Sequence, residues 1–311
     1  MSGLNFSSYR RLVVKVGSSL LVDDFGELNR TWLDKLANDV ADLSNNGHEV
    51  LIVSSGAIAI GGSVLGINKQ RAKLPDLQAA AATGQVQLVH AYQEALGRHG
   101  ITVAQILLTP DDTEDRRRFL NARRTLGKLI ALSVVPVINE NDTVATEEIR
   151  YGDNDRLAAR VAQLVMADAL ILLSDVDGLY TTDPRSNSDA KHIPEVAAID
   201  DDILSMAGES GSEVGTGGMT TKVQAAGIAT HAGCITIIAS GVIDSPLRAL
   251  KDGGRYTIFN ASDTPAAARK QWIAGVLDVS GELSLDDGAI GALQDGYSLL
   301  PVGVIDVSGD F

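Results

Sequence analysis

Two hydrophobic patterns alternate along the first 260 residues of the chain. The first consists of short, nearly all-apolar runs, which are typical of parallel β-strands covered on both faces. These runs predict strands at Leu12–Val16, Val50–Ser54, Thr102–Leu108, Val134–Asn139, Leu170–Ser174 and Ile235–Ala239. The second pattern repeats apolar residues every three to four positions. It predicts helices at Thr31–Ser44, Leu77–Arg98, Arg156–Met166 and Lys222–His231. The alternation predicts a doubly wound α/β domain with a mostly parallel sheet, whose ligands bind beyond the carboxyl ends of the strands.

The pattern changes near residue 262. Ser262–Arg269 (SDTPAAAR) has the composition of a linker, and short alternating segments broken by Gly and Asp follow Trp272 without a helical period. We therefore expect a large domain at 1–261, a linker at 262–274 and a short β segment at 275–311. The last segment is too short to be stable comfortably alone.

Composition narrows the classes of protein that fit. The 311 residues are 45% apolar and carry a net charge of −14, which favours a globular protein and disfavours nucleic acid and anionic membranes as partners. No apolar run approaches the roughly 20 residues of a membrane span, and the first eleven residues lack the apolar stretch of a signal peptide. The single cysteine, Cys234, predicts no disulfide within the chain and suits a reducing compartment, so we expect a cytoplasmic protein.

Small and polar residues follow two of the predicted strands directly. Lys15 lies in the otherwise apolar run Leu12–Val16, which leads into Gly17. A buried ammonium is costly without a partner, so Lys15 either lies in solvent on an edge strand or points at an anionic ligand. The glycine-rich stretch Ser55–Gly62 after the next strand predicts either a tight turn or a close backbone approach to a ligand.

Two acidic and amide-rich blocks surround the start of a predicted helix. Asn139-Glu140-Asn141-Asp142 follows the strand Val134–Asn139, and Tyr151-Gly152-Asp153-Asn154-Asp155 opens the next helix. Asp and Asn are ordinary helix caps, but one cap residue is enough for a helix. The number of polar residues therefore favours a functional role over capping.

The segment Gly215–Lys222 (GTGGMTTK) precedes another predicted helix and resembles a phosphate-binding loop, with flexible amides, hydroxyls and a lysine. It is not a Walker A loop, and Thr220 stands where G-x-G-x-x-G requires its last glycine, which disfavours a dinucleotide dehydrogenase. The five histidines lie outside these blocks without metal-ligand spacing, and metal ligands stay unknown. The absence of G-x-S-x-G disfavours a hydrolase, and Cys234 is interpreted as a core residue.

Together these blocks resemble the amino acid kinase family. The matching motifs follow the family's order across nearly all of residues 10–260. They are VVKVGSS (Val13–Ser19), VSSGAIAIG (Val53–Gly61), RRRFLNARRTL (Arg116–Leu126), PVINENDTVAT (Pro136–Thr146), GDNDRLAA (Gly152–Ala159), SDVDGLYTTDPR (Ser174–Arg185) and GTGGMTTK (Gly215–Lys222). Single motifs are shared by members that act on acetylglutamate, aspartate, carbamate or UMP, whereas NEND, GDND and RFLNAR together are more specific to members that act on glutamate.

The resemblance implies a fold and an activity. The fold is a three-layer α/β sandwich with a central, mostly parallel sheet, followed by an incomplete PUA domain, because KQWIAG (Lys270–Gly275) and SLLPVGV (Ser298–Val304) resemble the beginning of that domain. The activity is phosphorylation of the γ-carboxylate of L-glutamate by ATP, the first step of proline synthesis. The resemblance also implies Mg²⁺, feedback inhibition by proline, and a homo-oligomer, either a dimer or a tetramer.

The resemblance further implies roles for single residues. Lys15 and Lys222 correspond to two lysines that clamp the phosphoryl group, and Asp155 to the acid that positions them. Glutamate binding falls to Ser55, Asp142 and Asn154. The residues implied in nucleotide binding are Lys15, Ser174, Asp175, Thr216, Gly217, Gly218, Met219, Thr220, Thr221 and Lys222.

The residue types agree with this chemistry. A glutamate side chain has a pKa of about 4.3, so it is already a nucleophile at neutral pH and needs no general base. Positioned lysines and loop amides bring the two anions together and stabilise the moving charge. The hypothesis requires Lys15 and Lys222, far apart in the sequence, to converge on one phosphoryl group.

Three alternatives remain open. A sibling kinase that acts on another carboxylate, such as acetylglutamate, shares many motifs, although Asp142 favours a substrate with a free ammonium group. A non-catalytic amino-acid sensor is disfavoured because both lysines are present. An RNA-binding role of the tail is disfavoured because residues 275–311 contain seven acidic residues and no Lys or Arg.

Overall fold

The predicted strands form one sheet in the computed structural model of the chain. The structure describes residues 3–23, 25–67, 71–144, 154–208, 218–261, 264–268, 281–294 and 299–309. Its strands are β1 (Arg11–Val16), β2 (Glu49–Ser54), β3 (Val103–Leu108), β4 (Val135–Glu140), β5 (Ala169–Ser174), β6 (Leu179–Tyr180), β7 (His192–Ile193), β8 (Glu195–Val196), β9 (Ile235–Ser240), β10 (Tyr256–Phe259), β11 (Gly281–Leu285) and β12 (Val304–Gly309). The six predicted strands correspond to β1, β2, β3, β4, β5 and β9, and each prediction is confirmed to within one residue at either end.

Helices flank these strands. They are α1 (Ser18–Leu21), α2 (Arg30–Asn45), α3 (Ala57–Leu65), α4 (Leu74–Gly97), α5 (Pro110–Glu114), α6 (Arg116–Ala131), α7 (Asn154–Val165), α8 (Asp201–Met206), α9 (Met219–His231), α10 (Pro246–Lys251) and α11 (Asp287–Gln294). The four predicted helices correspond to α2, α4, α7 and α9. Side-chain caps mark several helix starts, as where Asn29 accepts a hydrogen bond from the amide of Trp32 at the beginning of α2.

The main sheet contains eight described strands in the order β3-β4-β2-β1-β5-β9-β10-β8. Pairing is parallel from β3 through β9, and β10 pairs antiparallel with β9. The expectation of a mostly parallel central sheet is confirmed. The strands β8 and β10 extend the sheet beyond the elements that the hydrophobic pattern predicts.

Apolar clusters cover both faces of the sheet, which confirms the three-layer sandwich. In β1, Leu12 and Val14 pack in the first cluster with Trp32 of α2. Val13 points the opposite way and packs in the second cluster with residues of α6, α7 and α9, among them Ala159. Because side chains alternate along a strand, one all-apolar strand contributes to both cores.

Two glycines bring α3 and α4 into close contact. A Cβ atom at Gly61 would lie 1.8 Å from the carbonyl oxygen of Ala80, and one at Gly84 would lie 1.9 Å from that of Ala57. Only the absence of a side chain at both positions permits this approach. The contact fixes the depth at which α4 lies against α3.

The C-terminal region differs in part from the prediction. The chain divides into two compact units, Met1–Ala268 and Arg269–Phe311. Residues 265–268 form a helical turn in which Ala268 is buried, so this part of the predicted linker packs within the first unit. The assignment of 262–274 as a linker and 275–311 as a separate segment stays a prediction.

In the second unit, β11 and β12 pair antiparallel, as expected for a short β segment. The expectation of no helical period after Trp272 is wrong over α11. Its apolar residues Ala289, Ile290, Ala292 and Leu293 have helical spacing, but two glycines in eight residues conceal it. Across the described part of the chain, no helix combines the length and apolar character needed to cross a membrane.

Candidate active site

A cleft of about 850 Å³ lies at the carboxyl ends of β1, β2, β4 and β5. Its border includes the segments that follow each of these strands, as the topology of a parallel sheet predicts. The predicted site residues on this border are Lys15, Ser55, Asp142, Asn154, Ser174, Asp175, Gly218, Met219, Thr220 and Lys222. Thr216 and Gly217 lie outside the described residues.

Lys15 lies on a central strand, which excludes the edge-strand interpretation. β1 pairs with β2 on one side and β5 on the other, and Lys15 is only 5% exposed. Because side chains alternate, Lys15 points to the same face as Val13, where α7 and α9 pack. A lysine on that face requires an anionic partner.

Asp155 is that partner, and it also binds Lys222. The Nζ of Lys15 lies 2.6 Å from Oδ1 of Asp155, and the Nζ of Lys222 lies 3.1 Å from Oδ2. Asp155 is 1% exposed and Lys222 is 2% exposed. The two lysines therefore converge on opposite oxygens of one buried carboxylate and border the same cleft, as the electrostatic hypothesis requires.

The electrostatics of this group keep Asp155 ionised. Burial by itself raises the pKa of the Asp155 carboxyl group, but the charges and hydrogen bonds of Lys15 and Lys222 outweigh it, and the net effect is a lowered pKa. Two positive charges and one negative charge leave an excess of one positive charge within this group of three side chains. That excess suits an anionic group even though the whole chain is strongly negative.

Thr221 belongs to the same group rather than to the border of the cleft. Its hydroxyl lies 3.0 Å from Oδ2 of Asp155 and 2.8 Å from the carbonyl oxygen of Gly218. The described border of the cleft does not include Thr221. Its predicted contact with the nucleotide stays a prediction, whereas its contact with Asp155 is observed.

Asn154 joins the ends of two strands. Its Nδ2 lies 3.0 Å from the carbonyl oxygen of Ser54, 2.7 Å from Oγ of Ser55 and 2.9 Å from Oδ1 of Asn139. These contacts hold the first residue of α7 against the ends of β2 and β4. Two of the three predicted glutamate-binding residues, Ser55 and Asn154, are thus in direct contact.

Asp142, the third, lies in a short 3₁₀ turn after β4 and is buried. Burial raises the pKa of its carboxyl group to about 7, and the negative charge of Glu140 contributes to the rise. A carboxylate in this situation gains from a cationic ligand, because a positive charge offsets both causes.

On the side of β5, Ser174 is buried and its hydroxyl accepts a hydrogen bond from the amide of Val176 at 3.2 Å. Asp175 is exposed, and its carboxylate lies 3.7 Å from Arg185. Both residues border the cleft near the helix start at Gly218 and Met219. This end of the cleft combines small residues with the amino end of a thirteen-residue helix, an arrangement that suits phosphate groups.

Asn139 and Glu140 also lie on the border of the cleft, in a block that was predicted to be functional, but neither residue was assigned a role. Sequence reasoning missed Tyr180, which lies on the same border. The hydroxyl of Tyr180 donates to Asp177 at 2.8 Å and accepts from Arg255 at 2.9 Å. The motifs NEND and SDVDGLYTTDPR contain all three residues, so membership of a motif was an available signal. Arg255 lies on neither motif, and only the fold brings it to Tyr180.

The single cysteine has the surroundings of a core residue. Cys234 is free and buried, and burial together with the nearby Asp168 raises the pKa of its thiol, which agrees with a core position. Within the described ranges, no group of three or more His, Cys, Asp or Glu side chains is arranged to hold a metal ion.

The fold and the site define an amino acid kinase. Residues 10–240 match the model of the "Amino acid kinase family", and the chain belongs to this family. Two solved structures share the fold. UMP kinase from Ureaplasma parvum has a TM-score of 0.57 and 16% identity and covers 81% of this chain and 98% of its own. Carbamate kinase from Giardia lamblia bound to AMP-PNP has a TM-score of 0.57 and 17% identity and covers 82% of this chain and 100% of its own.

Several relatives with much higher sequence identity share the name glutamate 5-kinase. Glutamate 5-kinase from Rhodopseudomonas palustris (strain BisB5) is 58% identical over 97% of this chain and 81% of its own length. Glutamate 5-kinase from Nitrobacter hamburgensis is 57% identical over 100% of this chain and 82% of its own length. That from Paramagnetospirillum magneticum is 57% identical over 97% and 82%, respectively.

Proposed function

We propose that the cleft catalyses the transfer of the γ-phosphoryl group of ATP to the γ-carboxylate of L-glutamate, which is the first step of proline synthesis. Relatives named for this activity match 97–100% of the chain at more than half identity. The observation that carries the proposal is the pair of buried lysines held on one carboxylate at the border of the cleft.

The geometry supports a direct displacement. The γ-carboxylate of glutamate is ionised at neutral pH and attacks the γ-phosphorus, and the bond from that phosphorus to the bridging oxygen of ADP breaks. Lys15 and Lys222 stabilise the negative charge that spreads over the moving phosphoryl oxygens. Asp155 fixes both ammonium groups before the substrates arrive, so little reorganisation is needed during the reaction.

Glutamate is held by its amino-acid end in this proposal. The ionised carboxylate of Asp142 binds the α-ammonium group, and Asn154 and Ser55 complete the polar wall beside it. An N-acetylated substrate lacks the positive charge that Asp142 requires. The site therefore favours glutamate over acetylglutamate.

The nucleotide enters as its Mg²⁺ complex, and the metal is part of the substrate. Both oxygens of Asp155 are engaged by lysines, so this carboxylate does not fit a metal-ligand role. Mg²⁺ is commonly held by substrate phosphates and water with few protein ligands. Ser174, Asp175 and the segment from Thr216 to Lys222 bind the phosphates and ribose in this proposal.

Three further properties belong to the same proposal. Proline inhibits by competing at the glutamate site, because it carries the same α-carboxylate and a charged amino group. The enzyme acts as a homo-oligomer, a dimer or a tetramer, which light scattering at several concentrations tests. Its location is the cytoplasm, where ATP is available.

A substrate panel tests the proposal. ADP release is followed with glutamate and with N-acetylglutamate, each with and without proline. We expect turnover with glutamate and none with the acetylated compound, and proline should raise the apparent KM for glutamate. Turnover with acetylglutamate alone would assign the chain to a sibling activity, and amino-acid binding without ADP release would indicate a sensor.

A further inference from the structure

A chain of three buried amide side chains runs from α4 to the wall of the cleft. Nδ2 of Asn154 donates to Oδ1 of Asn139 at 2.9 Å, and Nδ2 of Asn139 donates to Oε1 of Gln85 at 2.9 Å. All three side chains are buried. Asn154 and Asn139 border the cleft, whereas Gln85 does not.

The backbone carbonyl group of Ser54 fixes the orientation of the three amide groups. Nδ2 of Asn154 lies 3.0 Å from the carbonyl oxygen of Ser54, which has no hydrogen to donate. Turning the Asn154 amide over would place two oxygens in contact. Asn139 must then present its oxygen to Asn154, and Gln85 must present its oxygen to Asn139, so all three amides point the same way.

Each end of the amide chain has an open position. Oδ1 of Asn154 and Nε2 of Gln85 are buried, and neither has a hydrogen-bond partner among the residues that the structure describes. Buried acceptors are nearly always satisfied in folded proteins, so Oδ1 of Asn154 calls for a donor. Asn154 and Asp142 both border the cleft, and an unpartnered buried acceptor suits an ammonium group rather than a carboxylate.

We propose that Gln85 is a positioning residue for recognition of the substrate's ammonium group, an inference that rests on the proposed function. Gln85 acts through Asn139, whose Nδ2 it holds away from Asn154. Without that acceptor, Nδ2 of Asn139 becomes a buried donor that has lost its partner, and Asn139 is held less firmly in the orientation that Asn154 requires. Asn154 then no longer holds Oδ1 ready for the substrate.

The position of Gln85 follows from the glycine contact described above. Its neighbour Gly84 lets α4 lie against Ala57 of α3, and this depth places the Gln85 side chain within reach of the end of β4. Gln87 is exposed on the same helix and provides a matched control.

The test compares Gln85→Met, Gln85→Glu and the control Gln87→Met in the full chain. Gln85→Met keeps the side-chain length but removes the acceptor, whereas Gln85→Glu restores it. KM is measured for glutamate and for ATP, and the inhibition constant is measured for glutarate, which has both carboxylates but no ammonium group. For Gln85→Met we expect the KM for glutamate to rise about three- to tenfold, as for loss of one hydrogen bond. The KM for ATP and the glutarate constant should stay within about twofold of the parent values, because neither ligand uses this acceptor.

Gln87→Met should bind glutamate as the parent does. Gln85→Glu keeps an acceptor but adds a buried charge, so its KM for glutamate should rise less than that of Gln85→Met. An unchanged KM for glutamate in Gln85→Met, an equal loss of glutarate binding, or an equal rise in KM for Gln85→Glu and Gln85→Met would each overturn the inference. If Gln85→Met does not fold, the shorter Gln85→Asn, which withdraws the acceptor from Asn139, is judged by the same criteria. A parent chain that does not phosphorylate glutamate would overturn the proposed function and this inference with it, whereas an active parent with an unaffected Gln85→Met variant would overturn the inference alone.

Discussion

At the scale of single residues, the site contains two carboxylates whose surroundings act in opposite directions. Asp155 meets two lysines that lower its pKa against the effect of burial. Burial and the like charge of Glu140 both raise the pKa of the Asp142 carboxyl group. Asp155 therefore has cationic partners within the protein, whereas a ligand can supply a positive charge for Asp142.

Replacement of Asp142 by Asn should stabilise the unliganded protein at alkaline pH. The pKa of about 7 in the folded state lies above the ordinary value of 3.8, so the carboxyl group's contribution to stability is fully present below 3.8 and is lost as the pH rises through 7. Each unit of difference corresponds to about 1.4 kcal/mol, so the gain is on the order of a few kcal/mol at pH 8. Thermal unfolding measured from pH 8 down to pH 5 should show the advantage of Asp142→Asn shrinking. A constant difference, or the same gain from the exposed Asp111→Asn, would contradict this explanation.

The same variant should bind glutamate poorly. Asp142→Asn removes the charge that faces the α-ammonium group, and we expect the KM for glutamate to rise at least about tenfold, as when one partner of a buried charge pair is lost. The KM for ATP should hardly change. An effect confined to ATP would show that the two substrates are assigned to the wrong ends of the cleft.

Lys222→Ala should lower turnover at least ~10²-fold, by analogy with removal of other groups that are preorganised to stabilise charge. The reason is the loss of one of the two ammonium groups that meet the moving phosphoryl group. Single-turnover rates measure the effect, and Lys128→Ala, at an exposed position on α6, is the control. A folded Lys222→Ala variant with nearly normal turnover would refute the role assigned to this lysine.

At the scale of secondary structure elements, the contact between α3 and α4 is the feature most sensitive to an added methyl group. Gly84→Ala would place a Cβ atom 1.9 Å from a backbone oxygen of α3. Backbone has little room to yield, so we expect destabilisation of about 3 kcal/mol or more. Gly97→Ala, at the end of the same helix, meets no atom within 4 Å and should be neutral or slightly stabilising. Chemical denaturation of the two variants distinguishes these outcomes, and equal stabilities would exclude the proposed close contact.

At the scale of the whole molecule, every described residue on the border of the cleft belongs to the first compact unit, Met1–Ala268. A chain that ends after Ala268 should therefore fold and keep turnover within about threefold of the full chain, as compact domains with their own core commonly do. Steady-state assays of the shortened chain measure this. Loss of glutamate turnover in a folded shortened chain would show that residues 269–311 contribute to the site.

The sequence patterns predicted the central strands of the main sheet but missed the short elements α11 and β10. The strands β1, β2, β4 and β5 are nearly all apolar, and burial on both faces leaves little choice for such runs. Helix α11 was missed because Gly288 and Gly291 interrupt a short amphipathic pattern. β10 lies next to the edge strand β8 and pairs antiparallel with β9. Its four residues are too few for the sequence pattern to predict this pairing.

The sequence by itself determined the alternation of strands and helices, the end of the sheet where the cleft lies, and the family whose motifs follow that order. Those features depend on local periodicity and on residue types at strand ends. The resemblance implied that Asp155 positions Lys15 and Lys222, but only the tertiary structure decided the contacts themselves and the path by which Gln85 reaches Asn154 through Asn139. These contacts link residues 15 to 140 positions apart in the chain. Local patterns in the sequence do not encode such distances, because only the packing of α4, α7 and α9 around the strand ends brings these side chains together.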